Sequence, residues 1–334
     1  MLRALTIRHR SLPLNAPFRI SRGARTSAEV VMVELTQEDR TGRGECVPYK
    51  RYGESIESVV GQLESMRGEL CAGMDRDTLQ MRLPAGAARN ALDAALWDLE
   101  SRLTGVSVWT RLERPAPAPM VTALTVSIDT PERMGEEAAR IAHNALIKIK
   151  LDAEDPAARI EAVRRAAPYA RLIVDANESW DIAILRDMQP VLERNRVALI
   201  EQPLPAEADD ALRDFVSDIP VCADEACHTT DDLPRLRDRY QAVNIKLDKT
   251  GGLTEAWSLL HAARVEGFGI MVGCMVGSSL GIAPALEIAR EAAFVDLDGP
   301  FWLRDDYPDG IRLQDGLLHP PQAGFWGTQD HDQS

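Results

Sequence analysis

From Met120 to Leu297 the chain alternates short apolar runs with helical stretches, and this alternation limits the fold more than any other feature. The runs are Met120–Val126, Leu146–Leu151, Leu172–Asp175, Leu199–Glu201, Val221–Asp224, Ala242–Leu247, Gly269–Cys274 and Phe294–Leu297. Helices are predicted between them: one capped by Thr130 with Pro131 at its first position, then Pro156–Ala167, Ile182–Arg194, Asp209–Ser217, Asp231–Arg239, Thr254–Glu266 and Leu280–Arg290. Strands that alternate with helices make parallel βα units, and about eight of them predict a closed barrel. An open doubly wound sheet is the alternative. No G-x-G-x-x-G follows the first run, which weighs against dinucleotide binding.

Within the second run, Leu146–Leu151 reads LIKIKL. Period two puts Lys148 and Lys150 on one face and Ile147 and Ile149 on the other. Two ammonium groups on one face of a buried strand need anionic neighbours, or one must lose its proton. Three consecutive runs then end in an acid: Asp175, Glu201 and Asp224, separated by 26 residues (201 − 175) and 23 (224 − 201). Each interval is about one βα unit, so in a barrel the three meet at the C-terminal rim, where function is built. Grouped acids repel unless a cation lies among them, and oxygen donors without Cys or His favour Mg2+ over zinc.

Lys150 ends the second strand and Lys246 the sixth, so the two oppose each other across the mouth. That arrangement suits removal of a proton from one face of a carbon and its return to the other. Removing a proton α to a carboxylate requires stabilising an enediolate, and a divalent cation with a nearby ammonium can do so. A lysine base must be neutral, and Lys148, the cation and partial burial are each expected to lower the pKa of Lys150. Asp296 and Asp298 share a face of the eighth strand, as a second cation site or as partners of a substrate ammonium.

The first 46 residues read as β, with strands at Ala4–His9, Glu29–Leu35 and Gly42–Cys46. Phe18–Ser27 reads as a basic loop carrying Arg19, Arg22 and Arg25, either solvated or gripping an anion. A second loop, Pro48–Ser55, carries Tyr49, Lys50, Arg51 and Tyr52. Helical stripes follow at Ile56/Val59/Val60/Leu63 and Leu92/Leu96/Leu99/Leu103. Pro115–Pro119 reads as a linker, which predicts domains at 1–115 and 116–298 and a C-terminal segment at 299–334 with a frayed tail.

Net charge is −14, so no basic stripe is available for nucleic acid, nor for an anionic membrane surface. An odd set of five cysteines without a C-x-x-C pair predicts reduced thiols in a cytoplasmic protein. No apolar run has the length of a signal peptide core or a membrane span.

These residues resemble the enolase superfamily, in the branch of the muconate-lactonising enzymes and most closely its dipeptide epimerases. The stretches that carry the resemblance include FRISRGAR, GRGECVPYKRYGES, LIVDANESW, LIEQPLP, VCADEACH, NIKLDKTGG, MVGCM and DLDGP. It implies a modified TIM barrel, (β/α)7β, with an α+β capping domain, toward which the segment 299–334 is expected to pack back. Carried over by position, it makes Asp175, Glu201 and Asp224 the Mg2+ ligands and Lys150 and Lys246 the two acid/base lysines. Lys148 would sit beside the substrate carboxylate. Asp296 and Asp298 would hold a dipeptide ammonium, Thr125 and Cys274 would line the substrate site, and Arg25 would pair with a glutamate side chain. The implied task is epimerisation of L-Ala-D-Glu to L-Ala-L-Glu in murein peptide recycling, and a homo-oligomer is an expectation at the level of the family. His228 is expected outside the immediate site. An o-succinylbenzoate synthase or muconate-lactonising activity on the same scaffold is one rival, and a non-catalytic binding protein another.

Overall fold

The computed structural model describes residues 3–328, so the tail expected to fray lies mostly outside the described residues. An antiparallel sheet opens the chain: β1 (Arg3–Ile20), β2 (Gly23–Gln37) and β3 (Arg40–Cys46). Helices α1 (Ile56–Ser65), α2 (Arg67–Cys71), α3 (Arg76–Arg82) and α4 (Ala87–Thr104) cover it, and α5 (Val108–Arg111) follows. α4 packs on β3 at two glycines: a Cβ on Gly42 or Gly44 would collide with the carbonyl of Ala95 or Ala91. Val31, Val33, Leu35, Leu63, Leu92 and Leu99 fill the space between the layers.

The segment expected as a basic loop, Phe18–Ser27, is instead a hairpin tip. Phe18 pairs with Arg25 and Ile20 with Gly23, which leaves Ser21 and Arg22 as the turn. Gly23 takes φ +130°, open only to glycine, so the two long strands reverse tightly. The strand expected over Ala4–His9 runs on to Ile20, with a register shift between Pro13 and Phe18.

The rest is a parallel eight-stranded sheet in chain order: β4 (Leu124–Val126), β5 (Leu146–Lys150), β6 (Arg171–Asp175), β7 (Val197–Glu201), β8 (Val221–Ala223), β9 (Ala242–Ile245), β10 (Gly269–Gly273) and β11 (Phe294–Asp296). Ala123 N–H donates to Val295 O at 2.7 Å and Leu297 N–H to Thr122 Oγ1 at 2.9 Å, which closes the last strand onto the first. Outside lie α6 (Pro131–Arg140), α7 (Pro156–Ala166), α8 (Ile182–Arg194), α9 (Leu233–Leu236), α10 (Leu247–Thr250), α11 (Leu253–Val265), α12 (Ser279–Ile282) and α13 (Leu286–Ala289). The fold is therefore a modified (β/α)7β barrel under an α+β cap.

Three expected helices are shorter. Asp209–Ser217 holds one 3-10 turn at Asp210–Asp214, and Asp231–Arg239 holds a 3-10 turn leading into the short α9. The helix expected over Leu280–Arg290 breaks into α12, a 3-10 turn and α13 around Pro284, which has no N–H to continue the ladder. The strand expected from Met120 is regular only from Leu124, while Met120 bridges Leu318. Leu318 belongs to a small hairpin of β12 (Arg312–Gln314) and β13 (Leu317–His319).

Period two stacks the barrel interior in layers. The lower layer is apolar, with Ala123, Leu146, Ile173, Leu199, Cys222, Ala242, Met271 and Phe294 forming one cluster. Two residues further along the same strands come Thr125, Lys148, Asp175, Glu201, Asp224, Asn244, Gly273 and Asp296. One periodicity thus builds both the plug of the barrel and its charged floor.

Cap and barrel meet at buried acids. Glu45 of β3 accepts from Ser278 N–H at 2.8 Å and Ser278 Oγ at 2.6 Å, at the start of α12. Asp248 of α10 accepts from Val47 N–H at 3.0 Å and Asn90 Nδ2 at 2.9 Å. Burial, against the Ser278 hydrogen bonds, pushes the Glu45 carboxyl up from 4.5 to about 7. Burial also pushes Asp248 up to about 7. A carboxyl with a raised folded pKa binds its proton more tightly in the native state than in the unfolded chain. The stability it contributes is complete below pH 4.5 and lost as pH rises through about 7. Glu45→Gln is expected to remove about 3 kcal/mol of that loss. Denaturation curves at pH 5 and pH 8 check it: the wild type loses stability over this range, and the variant loses measurably less.

Candidate active site

The register of β5, β6 and β7 sets Lys150 beside Asp175 and Asp175 beside Glu201, so the floor is continuous around the rim. Asp175 and Glu201 are completely buried and Asp224 is 1% exposed. Each acid faces lysines. Lys150 Nζ is 2.6 Å from Asp175 Oδ2. Lys246 Nζ is 2.6 Å from Asp224 Oδ2, and Lys249 Nζ is 2.7 Å from Asp224 Oδ1. Lys148 Nζ lies at the centre, 2.7 Å from Glu201 Oε2, 2.7 Å from Asp296 Oδ2 and 3.0 Å from Asp175 Oδ2. Gly273 leaves room for this crowd, since a Cβ there would sit 2.8 Å from Asn244 Oδ1.

The electrostatics follow from burial and these pairs. For Asp175, burial pushes the pKa up, but Lys150 and Lys148 outweigh it and hold the carboxyl below its usual range. Asp224 is held well below its usual value, because Lys246 and Lys249 outweigh burial. Glu201 has no such dedicated partner, and burial, then Asp175, push it up to about 7. Burial opposes the charge on Lys148, but Asp296 and Glu201 raise its pKa well above normal. Asp224 does the same for Lys246 against burial. At these two lysines the effect of burial is overridden, because buried carboxylates lie within hydrogen-bond distance.

The predicted residues fall around one cleft between barrel and cap. Arg25, Thr125, Lys148, Lys150, Asp224, Lys246, Cys274, Asp296 and Asp298 line it, and Asp175 and Glu201 lie beneath. Lys150 ends the second of eight strands and Lys246 follows the sixth, so they stand on opposite walls. Asp298 Oδ2 accepts from Thr125 N–H at 2.8 Å and Trp302 Nε1 at 3.2 Å. Burial, then Asp296, push Asp298 up to about 6. Asp296 Oδ1 is buried with no hydrogen-bond partner. Burial, then Asp296, raise the Cys274 thiol well above its usual pKa, so it is a wall rather than a nucleophile. The Arg25 guanidinium lies 5.1 Å from the Tyr49 ring centroid. His228 packs edge-on to Tyr52 beside a neighbouring cavity, and burial, then Lys249, lower it to about 4.

Sequence reasoning missed Asn244, Lys249, Asn177 and Glu225. Asn244 donates to Glu201 Oε1 at 2.8 Å and shares a face with Lys246, so period two could have found it. Glu225 directly follows Asp224, yet its carboxylate meets Arg22 of the cap at 2.7 Å, a pairing no local pattern reveals.

Among the described residues no three acidic, Cys or His side chains form an assembled metal cage; the carboxylates are drawn onto ammonium groups. The donor chemistry still fits a hard divalent cation. Three buried carboxylates come from successive strands with no sulfur or nitrogen donor among them. Glu201 Oε2 accepts no hydrogen bond, and its close contact is the ion pair with Lys148 at 2.7 Å.

A parallel barrel with opposed lysines and an acidic floor beneath an α+β cap defines the enolase class of acid/base fold. Residues 133–328 match the model of the enolase C-terminal domain-like family. Residues 2–112 match the mandelate racemase/muconate lactonizing enzyme N-terminal domain. The chain belongs to this family. It is 47% identical to L-Ala-D/L-Glu epimerase of Escherichia coli (strain K12), over 95% of this chain and 100% of that protein. It is 45% identical to N-acetyl-D-glutamate racemase of Pseudoalteromonas sp, over 89% of this chain and 95% of that one. An enolase family member from Agrobacterium tumefaciens with homology to dipeptide epimerases, solved with sodium, L-Ala-L-Glu and an ordered loop, superposes with TM-score 0.95 at 46% identity. That comparison covers 97% of this chain and 100% of the other. The dipeptide epimerase of Cytophaga hutchinsonii, complexed with Mg and D-Ala-L-Val, superposes with TM-score 0.90 at 26% identity, over 100% of this chain and 97% of that one.

Proposed function

We propose that this protein is a Mg2+-dependent dipeptide epimerase that interconverts L-Ala-D-Glu and L-Ala-L-Glu. The observation that carries the reading is the pair of lysines, Lys150 and Lys246, on opposite walls of one cleft. One neutral amine takes the α-proton of the C-terminal residue, and the opposite ammonium delivers a proton to the other face. The centre inverts, and the two lysines exchange protonation states. Asp175, Glu201 and Asp224 would hold the cation, which supplies positive charge to the substrate carboxylate as the α-proton leaves. Lys148 adds a fixed ammonium beside that charge, already oriented by three carboxylates.

At the other end, Asp296 and Asp298 would receive the dipeptide ammonium, with Asp296 Oδ1 supplying a buried acceptor. Thr125 and Cys274 shape the wall, and Arg25 faces the glutamate side chain. The reading sets the reaction in the cytoplasmic recycling of murein peptides. The relative that racemises N-acetyl-D-glutamate raises a second substrate type, but an acetylated amine has no charge for two buried acids to bind.

Incubation with Mg2+ in D2O separates the readings. L-Ala-L-Glu is expected to gain deuterium at the glutamate α-carbon and drift to a mixture of diastereomers, and a chelator is expected to stop both. Faster exchange into N-acetyl-L-glutamate than into the dipeptide would overturn the dipeptide assignment. Exchange into neither would overturn the epimerase.

A further inference from the structure

We infer that Glu178 is the shared anchor that makes the two cap loops over the cleft behave as one lid. It is a positioning residue, and only its kinetic consequence rests on the proposed epimerase reading. After Asp175 the chain turns through Asn177 at φ +43° and Glu178 at φ +68°. Two consecutive left-handed residues that are not glycine cost roughly 1 kcal/mol or more each, so the surroundings must hold the turn in place. The turn directs the Asn177 carbonyl and the Glu178 carboxylate toward the cap.

The hairpin tip meets them from one side. Ser21 Oγ donates to Asn177 O at 3.0 Å. Arg22 Nη1 donates to Asn177 O at 3.0 Å and Glu178 Oε2 at 3.1 Å. Arg22 Nη2 reaches Glu225 Oε1 at 2.7 Å and the Tyr49 hydroxyl at 3.1 Å. The second loop meets them from the other side. Arg51 grips Glu178 with two parallel bonds, Nε to Oε2 and Nη2 to Oε1, both 2.7 Å. Ala206 N–H completes the set on Oε1 at 2.9 Å.

One carboxylate therefore binds an arginine from each loop. The bidentate fork of Arg51 sets the plane of that carboxylate and so aims Oε2 at Arg22. The Glu178 side chain is only 8% exposed, against 26% and 27% for Arg51 and Arg22, so solvent screens these pairs weakly. Because the anchor lies three residues beyond Asp175, lid position is tied to the strand that builds the acidic floor. The hairpin also carries Arg25, so its seating sets how the cleft meets a substrate side chain.

Amide hydrogen exchange on the whole chain, with and without Mg2+, tests this. Glu178→Gln keeps an acceptor for Ala206 but loses the charge. Weakening charge-assisted bonds here is expected to speed exchange about tenfold in both residues 19–25 and residues 48–53. Arg51→Gln is expected to loosen the hairpin as well as its own loop, because the effect passes through the shared carboxylate. The KM for L-Ala-L-Glu should rise about tenfold in Glu178→Gln with little change in kcat. Faster exchange confined to 48–53 in both variants, or in neither loop, would overturn the shared anchor. Should Glu178→Gln fail to fold, Arg51→Gln decides alone. If the wild type epimerises no dipeptide, the proposed function fails while the exchange result still decides the anchor.

Discussion

Lys246→Ala and Lys150→Ala are each expected to lower epimerisation at least about a thousandfold, while each keeps α-proton exchange from one diastereomer only. The two variants should spare opposite diastereomers, because their amines stand on opposite walls of the barrel mouth. With one lysine left, the proton it removes exchanges with solvent deuterium and returns to the same face. The label enters without inversion. Folding should survive both changes, since Asp224 keeps Lys249 at 2.7 Å and Asp175 keeps Lys148 at 3.0 Å. Mass and chiral analysis of L-Ala-L-Glu and L-Ala-D-Glu after incubation in D2O reads the result directly. Exchange from the same diastereomer in both variants, or undiminished inversion in either, would remove the two-base mechanism.

Glu201→Gln is expected to abolish activity and to weaken Mg2+ binding by at least about a hundredfold, more than the loss of an outer hydrogen bond to a metal ligand brings. Glu201 suits this test because its surroundings separate charge from shape. Its Oε1 accepts from Asn244 Nδ2, a bond the glutamine oxygen reproduces. Its Oε2 accepts no hydrogen bond, is ion-paired with Lys148 at 2.7 Å, and is the atom that would meet a cation. Calorimetric titration with Mg2+ gives the affinity apart from turnover. Unchanged affinity in the variant would exclude Glu201 from the cation site, whatever happened to the rate.

Much of this floor was legible before any coordinates. The alternation in Leu146–Leu151 placed Lys148 and Lys150 on one side, and the spacing of Asp175, Glu201 and Asp224 brought three acids to one rim. The cap was harder to read. Phe18–Ser27 looked like a loop because Ser21, Arg22 and Gly23 break the apolar pattern, although the flanking residues pair strand to strand. The lysines of the floor show a different limit. Burial was foreseeable from sequence, but the number of carboxylates around Lys148 and Lys246 was not.

The sequence by itself determined the barrel and which residues face into it. That follows because side-chain direction along a strand is a local steric property that repeats every two residues. Tertiary structure alone decided which charges meet: Lys148 with Asp296, 148 residues away, and Arg22 and Arg51 together on Glu178. Such pairs depend on how the cap sheet docks on the barrel mouth. The packing of every layer sets that docking, and no short stretch of the chain encodes it.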